Sequence, residues 1–273
     1  MTAPVVTHAP VPAVPHQIDT RYRLTFVRAL RGEWIKLTTV RSTWWSIAIA
    51  AALTVGIAVL FASAVDMPGF EPIQAVVSPI QFTMLLAGIL GAIAVTGEYS
   101  TGMIRSTLTA NPGRGSVLAA KSVVLAVFLF VSSLIIFGIT AVAVSAVVAG
   151  RDQSIDWSDF DLSFGPILTA SLSMAVFALI GVAFGFILRS GAGAIAATVG
   201  LLFVLPIVAS MFSIAGEAWK WVTDAGMYLP SSAAQSLILS GGSLETPVAY
   251  LTLGGWVVAT LLTAWAVLRT RDA

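Results

Sequence analysis

Glu98 is the residue whose placement most needs a chemical explanation. It follows a long apolar stretch and opens a loop, GEYSTGMIRSTLTANPGRG (residues 97–115), that also carries Arg105 and Arg114. A carboxylate at the carboxyl end of a helix faces the negative pole of the macrodipole, at a cost of a few tenths to about 1 kcal/mol. Residues that break a local rule are often functional. The expected chemistry is ion pairing, with a cation of this loop or of a partner; the alternative is a solvated acid at headgroup level. Other chemistries lack their parts. The chain has no cysteine, and its two histidines, His8 and His16, lie in a proline-rich leader, so neither a thiolate nor a helix-borne imidazole metal site is expected. Gly113-Arg114-Gly115-Ser116 has neither the spacing nor the lysine of a phosphate-binding loop. No catalytic residue, cofactor or metal is expected in this chain.

The elements that would hold Glu98 are membrane spans. Six apolar stretches (44–65, 75–97, 122–149, 163–188, 194–213 and 248–268) contain no acid, lysine, arginine or histidine in their interiors. Each is about 20 residues or longer, enough at 1.5 Å per residue to cross a hydrocarbon layer of roughly 30 Å. Composition agrees, with 58% apolar and 10% charged residues, against about 25% charged in soluble domains. The expected fold is all-α and integral to the membrane.

With the amino terminus cytoplasmic, twelve of the fourteen basic residues fall on inner segments, and only Arg151 and Lys220 lie outside. That is the positive-inside pattern, and both termini are then cytoplasmic. The net charge of +1 gives no reason to expect a nucleic acid. Spans without ionisable groups argue against a proton-coupled carrier, a selective channel or an intramembrane hydrolase. Gln81 is their one amide. Ala87-x-x-x-Gly91 and Gly181-x-x-x-Gly185 allow close helix packing, and Pro79 and Pro206 can kink their helices.

Three non-spanning regions complete the plan. Residues 1–20 are rich in proline and are expected to be disordered. In 21–43, Leu24, Val27, Leu30, Trp34, Leu37 and Val40 recur at helical spacing, with Arg21, Arg28, Arg31, Lys36 and Arg41 off that stripe. This predicts an amphipathic helix on the membrane surface, with a bend at Gly32, and leaves open whether it also touches a partner. In the 97–115 loop, Ser100 or Thr101 can cap a short helix that Asn111-Pro112-Gly113 ends, with Ser116 capping the third span. Met103, Ile104, Thr107 and Leu108 share one face of that helix. It is suited to docking into a groove, or else is a connector whose cations set topology. In 214–247, Trp219, Trp221 and Tyr228 suit the interface, and Ser231 can cap a helix through Ser240.

Three runs taken in order resemble a known family: GEWIKLTTVRSTWW (32–45), GEYSTGMIRSTL (97–108) and YLPSSA (228–233). They are similar to the opening, the loop after the second span and the segment before the sixth span of type-two ATP-binding-cassette (ABC) exporter permeases of actinobacterial character. The resemblance implies a connecting helix at 21–43 and a six-span permease domain at 44–273. It implies a coupling helix at 101–110 that docks on a separate cytoplasmic ABC ATPase subunit, where ATP and Mg would bind. Met103, Ile104 and Leu108 would make its apolar contacts, and Glu98, Arg105 and Arg114 its polar ones. Residues 229–240 would form an outer re-entrant helix. Two permeases, identical or paralogous, would pair with two ATPases and export a lipophilic or amphipathic cargo through the plasma membrane. The alternative is a non-transporting membrane anchor for a cytoplasmic partner.

Overall fold

The computed structural model describes residues 25–65, 70–111, 113–151, 153–239 and 241–271. Their regular secondary structure is all helical, with no strand among them. The 1–20 leader lies outside the described residues. Six segments are long and apolar enough to cross a membrane: Arg41–Ala64, Pro72–Ser100, Arg114–Arg151, Phe164–Leu188, Gly191–Ile214 and Thr246–Thr270.

Ahead of the first span, α1 (Phe26–Thr39) starts at Thr25, whose hydroxyl accepts from the Arg28 amide. The helix runs without a break through Gly32, and the chain leaves helical geometry at Val40, which is extended. Thr38, Thr39 and Val40 are β-branched and disfavour helix, and the Trp44 indole donates to the freed Thr38 carbonyl at 2.8 Å. The first span, α2 (Arg41–Ala64), follows directly. Its carboxyl end is capped by Arg151, whose guanidinium donates to the carbonyls of Ala62, Ser63 and Val65. A cation there complements the macrodipole.

The second span is divided. Pro79 has no amide to give, and it separates α3 (Pro72–Val77) from α4 (Ile80–Ser100). The third, α6 (Arg114–Val148), begins eight residues before the expected 122. Ser116 therefore lies in its first turn, near the Gly113 carbonyl (2.7 Å), and does not cap it. The fourth, α7 (Phe164–Leu188), is the most buried. It meets α4 backbone to backbone: a Cβ on Gly181 would strike the Gly88 carbonyl, and one on Gly91 the Ala178 carbonyl. The small-residue motifs are thus contacts within this chain.

The fifth span is composite, with α8 (Gly191–Val199), a π-helical turn (Gly200–Val204) and α9 (Leu205–Met211). Pro206 cannot donate to the Leu202 carbonyl four residues earlier. The Gln81 amide of α4 does so instead, at 3.2 Å, and its own oxygen accepts from Gln235 at 2.8 Å. Gln235 belongs to α11 (Pro230–Ile238), which follows α10 (Lys220–Met227). Helix α11 starts on Pro230 at its first position, so Ser231 is not its cap; the Ser231 hydroxyl is buried and has no partner among the described residues. Gln81 thereby links the second span, the fifth-span irregularity and α11. Gln81→Leu is expected to destabilise the protein by about 1–2 kcal/mol, read as a lower midpoint of thermal unfolding in detergent.

The sixth span, α12 (Thr246–Thr270), ends under Arg114, which donates to the carbonyls of Leu268 (2.6 Å) and Arg271 (3.2 Å). The core is the α4–α7 pair with α6 against it. The first, fifth and sixth spans leave most of their surface uncovered.

Candidate functional site

Glu98 lies in the last turn of α4 and is 4% exposed. Two lysines from two other helices meet it. Lys121, one residue short of the expected third span, stands two turns into α6 and reaches Glu98 Oε1 at 2.8 Å. Lys36 of α1 reaches the same oxygen at 3.0 Å. Glu33, one turn before Lys36, closes the set: its Oε1 accepts from Lys36 at 2.9 Å and its Oε2 from Lys121 at 2.6 Å. Each lysine bridges both carboxylates, so the four charges form a ring that sums to zero. Lys121 and Glu33 are nearly as buried as Glu98; only Lys36 retains substantial exposure. The ring ties α1 to the carboxyl end of α4 and the amino-terminal part of α6, and offsets the poor placement of a carboxylate at a helix end.

Burial opposes the charge on Glu33, but Lys121 and Lys36 outweigh it and hold its carboxyl below the ordinary value. Burial also opposes the charge on Lys36, yet Glu33 and Glu98 prevail and raise its ammonium above the usual value. A lowered carboxyl contributes stability above its unfolded pKa, about 4.3, and loses it as pH falls through the lowered value. A raised ammonium contributes below about 10.4 and loses it as pH rises through the raised one. The thermal midpoint is therefore expected to fall on the acid side of pH 4.3, and to fall less in Glu33→Gln. An equal drop in both proteins would remove Glu33 from this role.

Directly after Glu98, the chain reverses through Gly102, whose φ of 72° favours glycine. This glycine, rather than Ser100 or Thr101, is the N-cap of α5 (Met103–Ala110). The Ser100 and Thr101 hydroxyls turn back to the Gly97 carbonyl. Ile104 is 2% exposed and packs inward, and Leu108 lies half-buried against the core. Met103 and Arg105 face outward. Ile104 and Glu98, both expected as partner contacts, have their side chains covered by this chain. Arg114 holds the end of α12, as described above. Beside Glu98, the Tyr99 ring stands edge-on to Phe186 (6.3 Å) and under the Arg189 guanidinium (5.4 Å).

On α1, Arg28, Arg31 and Arg41 (the last at the start of α2) are exposed, as are Val27, Trp34, Ile35 and Val40. The buried residue of this helix is Glu33, with Leu30, Lys36 and Leu37 half-buried beside it. The inward face is thus centred on the acid, while part of the apolar stripe looks out. Sequence reasoning missed Glu33 and gave Lys121 no role beyond a place among the twelve basic residues of the inner segments. The available clue was that Leu30, Glu33 and Leu37 fall on one helical face.

A model of the ABC-2 family transporter proteins matches residues 29–206, from α1 into the fifth span. A probable ABC transporter permease protein of Stutzerimonas stutzeri, NosY, is 30% identical over 263 residues, which cover 83% of this chain and 92% of that protein. With six apolar helices, two of them packed through glycines, and a short helix turned out at the Glu98 end, this chain belongs to the ABC-2 family and is a multi-pass membrane permease.

Proposed function

We propose that this chain is the membrane-embedded subunit of an exporter energised by a separate ABC ATPase. The carrying observation is α5: eight residues, anchored inward by Ile104 and presenting Met103 and Arg105 outward, directly joined to the helix that bears Glu98. On this reading α5 is the coupling helix. ATP and Mg bind on the partner, and closure of two ATPases pushes on the α5 helices of two permease copies or paralogues. The Glu33–Lys36–Glu98–Lys121 ring makes α1, α4 and α6 move with α5 rather than absorb the push. Helix α1 lies on the inner leaflet as the connecting helix, both termini are cytoplasmic, and α11 is the re-entrant element of the outer side. The cargo crosses between the permeases of the plasma membrane. Spans lined by Ser, Thr and apolar groups suit a lipophilic or amphipathic molecule.

The test is reconstitution. Liposomes holding the permease with its ATPase are expected to move a fluorescent amphipath in an ATP-dependent way, and liposomes holding the permease alone to move none. Unaided transport by the isolated chain would overturn the reading. Stable ATPase binding without ATP-driven transport would replace it with the anchoring role.

A further inference from the structure

Helices α6 and α12 both pack on α7 but scarcely touch one another. Between them lies a groove of about 570 Å³, open along one side. Its α6 side intersperses the small Gly115, Ala119 and Ala126 among larger residues such as Leu118 and Val123; Val258, Leu261 and Leu262 line the facing side, and Leu179 of α7 lies between. The lining is almost wholly apolar. From Gly115 to Ala126 is eleven residues, about 16 Å at 1.5 Å each, which is half of a hydrocarbon layer of roughly 30 Å. The groove therefore has the depth of one leaflet.

One end of the groove is cationic and aromatic. Trp265 lines it, and the Arg269 guanidinium lies 4.0 Å from the centre of the indole, exposed at the rim. Arg114, next to Gly115, sits at the same rim with its guanidinium on the Leu268 carbonyl. Tryptophan and arginine at this level occupy the headgroup zone, and basic sites between spans select anionic headgroups. We infer that the groove between α6 and α12 holds an acyl chain of an anionic bilayer phospholipid, its phosphate against Arg269. Apolar lining, one-leaflet depth and a cationic mouth are the three features such a lipid needs together. A second copy of this chain would have no use for the charge at one end.

The test is native mass spectrometry of the full chain, released from vesicles of equal phosphatidylglycerol and phosphatidylcholine. The protein is expected to retain phosphatidylglycerol about fivefold over phosphatidylcholine, the preference that one interfacial arginine confers. Ala119→Trp fills the groove from an exposed position and is expected to cut retained lipid about tenfold, as lost contact for two methylenes would. Val258→Trp, on the opposite wall, serves if the first variant does not fold. Arg269→Gln is expected to keep the lipid but bring the two headgroups near parity. Equal retention of both lipids by the unaltered protein would overturn the inference, as would full retention in a folded tryptophan variant. So would a tryptophan variant that shifts the dimer population and leaves the lipid unchanged, which would make the groove an interface between copies.

Discussion

Lys121→Met is expected to destabilise the protein by about 3–5 kcal/mol, the cost of removing one partner from a buried ion pair. The lysine is not worth that much by itself. Its loss leaves Glu33 and Glu98 buried, facing each other and sharing only Lys36, and Glu98 Oε2 already lacks a partner among the described residues. The balance of charge, rather than any single bond, is what holds the cluster. Lys121→Met combined with Glu98→Leu, which returns the site to one acid and one base, is therefore expected to recover more than half of the loss. Denaturant or thermal unfolding in detergent measures both. A single variant within about 0.5 kcal/mol of the parent, the range of ordinary surface changes, would show that the ring contributes nothing to stability. An equal loss in the single and double variants would show that packing around Lys121, not charge, sets the cost.

The second large effect is expected at α5 and concerns a partner rather than the fold. Met103 and Arg105 are exposed, so Met103→Asp with Arg105→Glu is expected to leave the thermal midpoint unchanged. In an interface, a central apolar anchor and an arginine can each carry 2 kcal/mol or more. The double variant is thus expected to weaken ATPase binding by at least about thirtyfold, with stimulated ATP hydrolysis lost in parallel. Ile104→Ala is the informative contrast. It removes an inward anchor, so it is expected to lower stability, with any loss of ATPase binding following from a displaced α5. Wild-type affinity in the outward double variant would move the docking surface elsewhere.

Much of this architecture was legible because the membrane imposes strong rules on sequence. A backbone in hydrocarbon must satisfy its own hydrogen bonds, so long uncharged stretches read as helices; all six were located this way. Their ends were less legible. The third span starts at Arg114 rather than at the first uncharged residue, because Lys121 is neutralised by Glu33 and Glu98 and its helix continues past it. Capping predictions failed for a related reason. Ser100, Thr101, Ser116 and Ser231 are all chemically able to cap, but Gly102, Gly113, Leu229 and the neighbouring Pro230 hold the backbone where the helices begin. Capping propensity is a local preference, and the conformation of adjacent residues outweighed it.

The candidate site divides along the same line. Sequence alone marked Glu98 as anomalous, since an acid at a helix carboxyl end conflicts with the local field whatever the fold. It also fixed the helical character of α1 and the short loop that became α5, because periodicity and glycine–proline punctuation are local properties. Only the tertiary structure could supply the two lysines, 62 and 23 residues away, and recruit Glu33 from a helix whose apolar stripe suggested a different inward face. The same holds for Gln81, which finds its acceptor 121 residues away on the carbonyl that Pro206 leaves free. Hydrophobic periodicity can be read along one chain segment, since burial in lipid depends on that segment alone. Compensation of a buried charge or an unsatisfied carbonyl depends on which helices meet, and packing at residues such as Gly91 and Gly181 decides that.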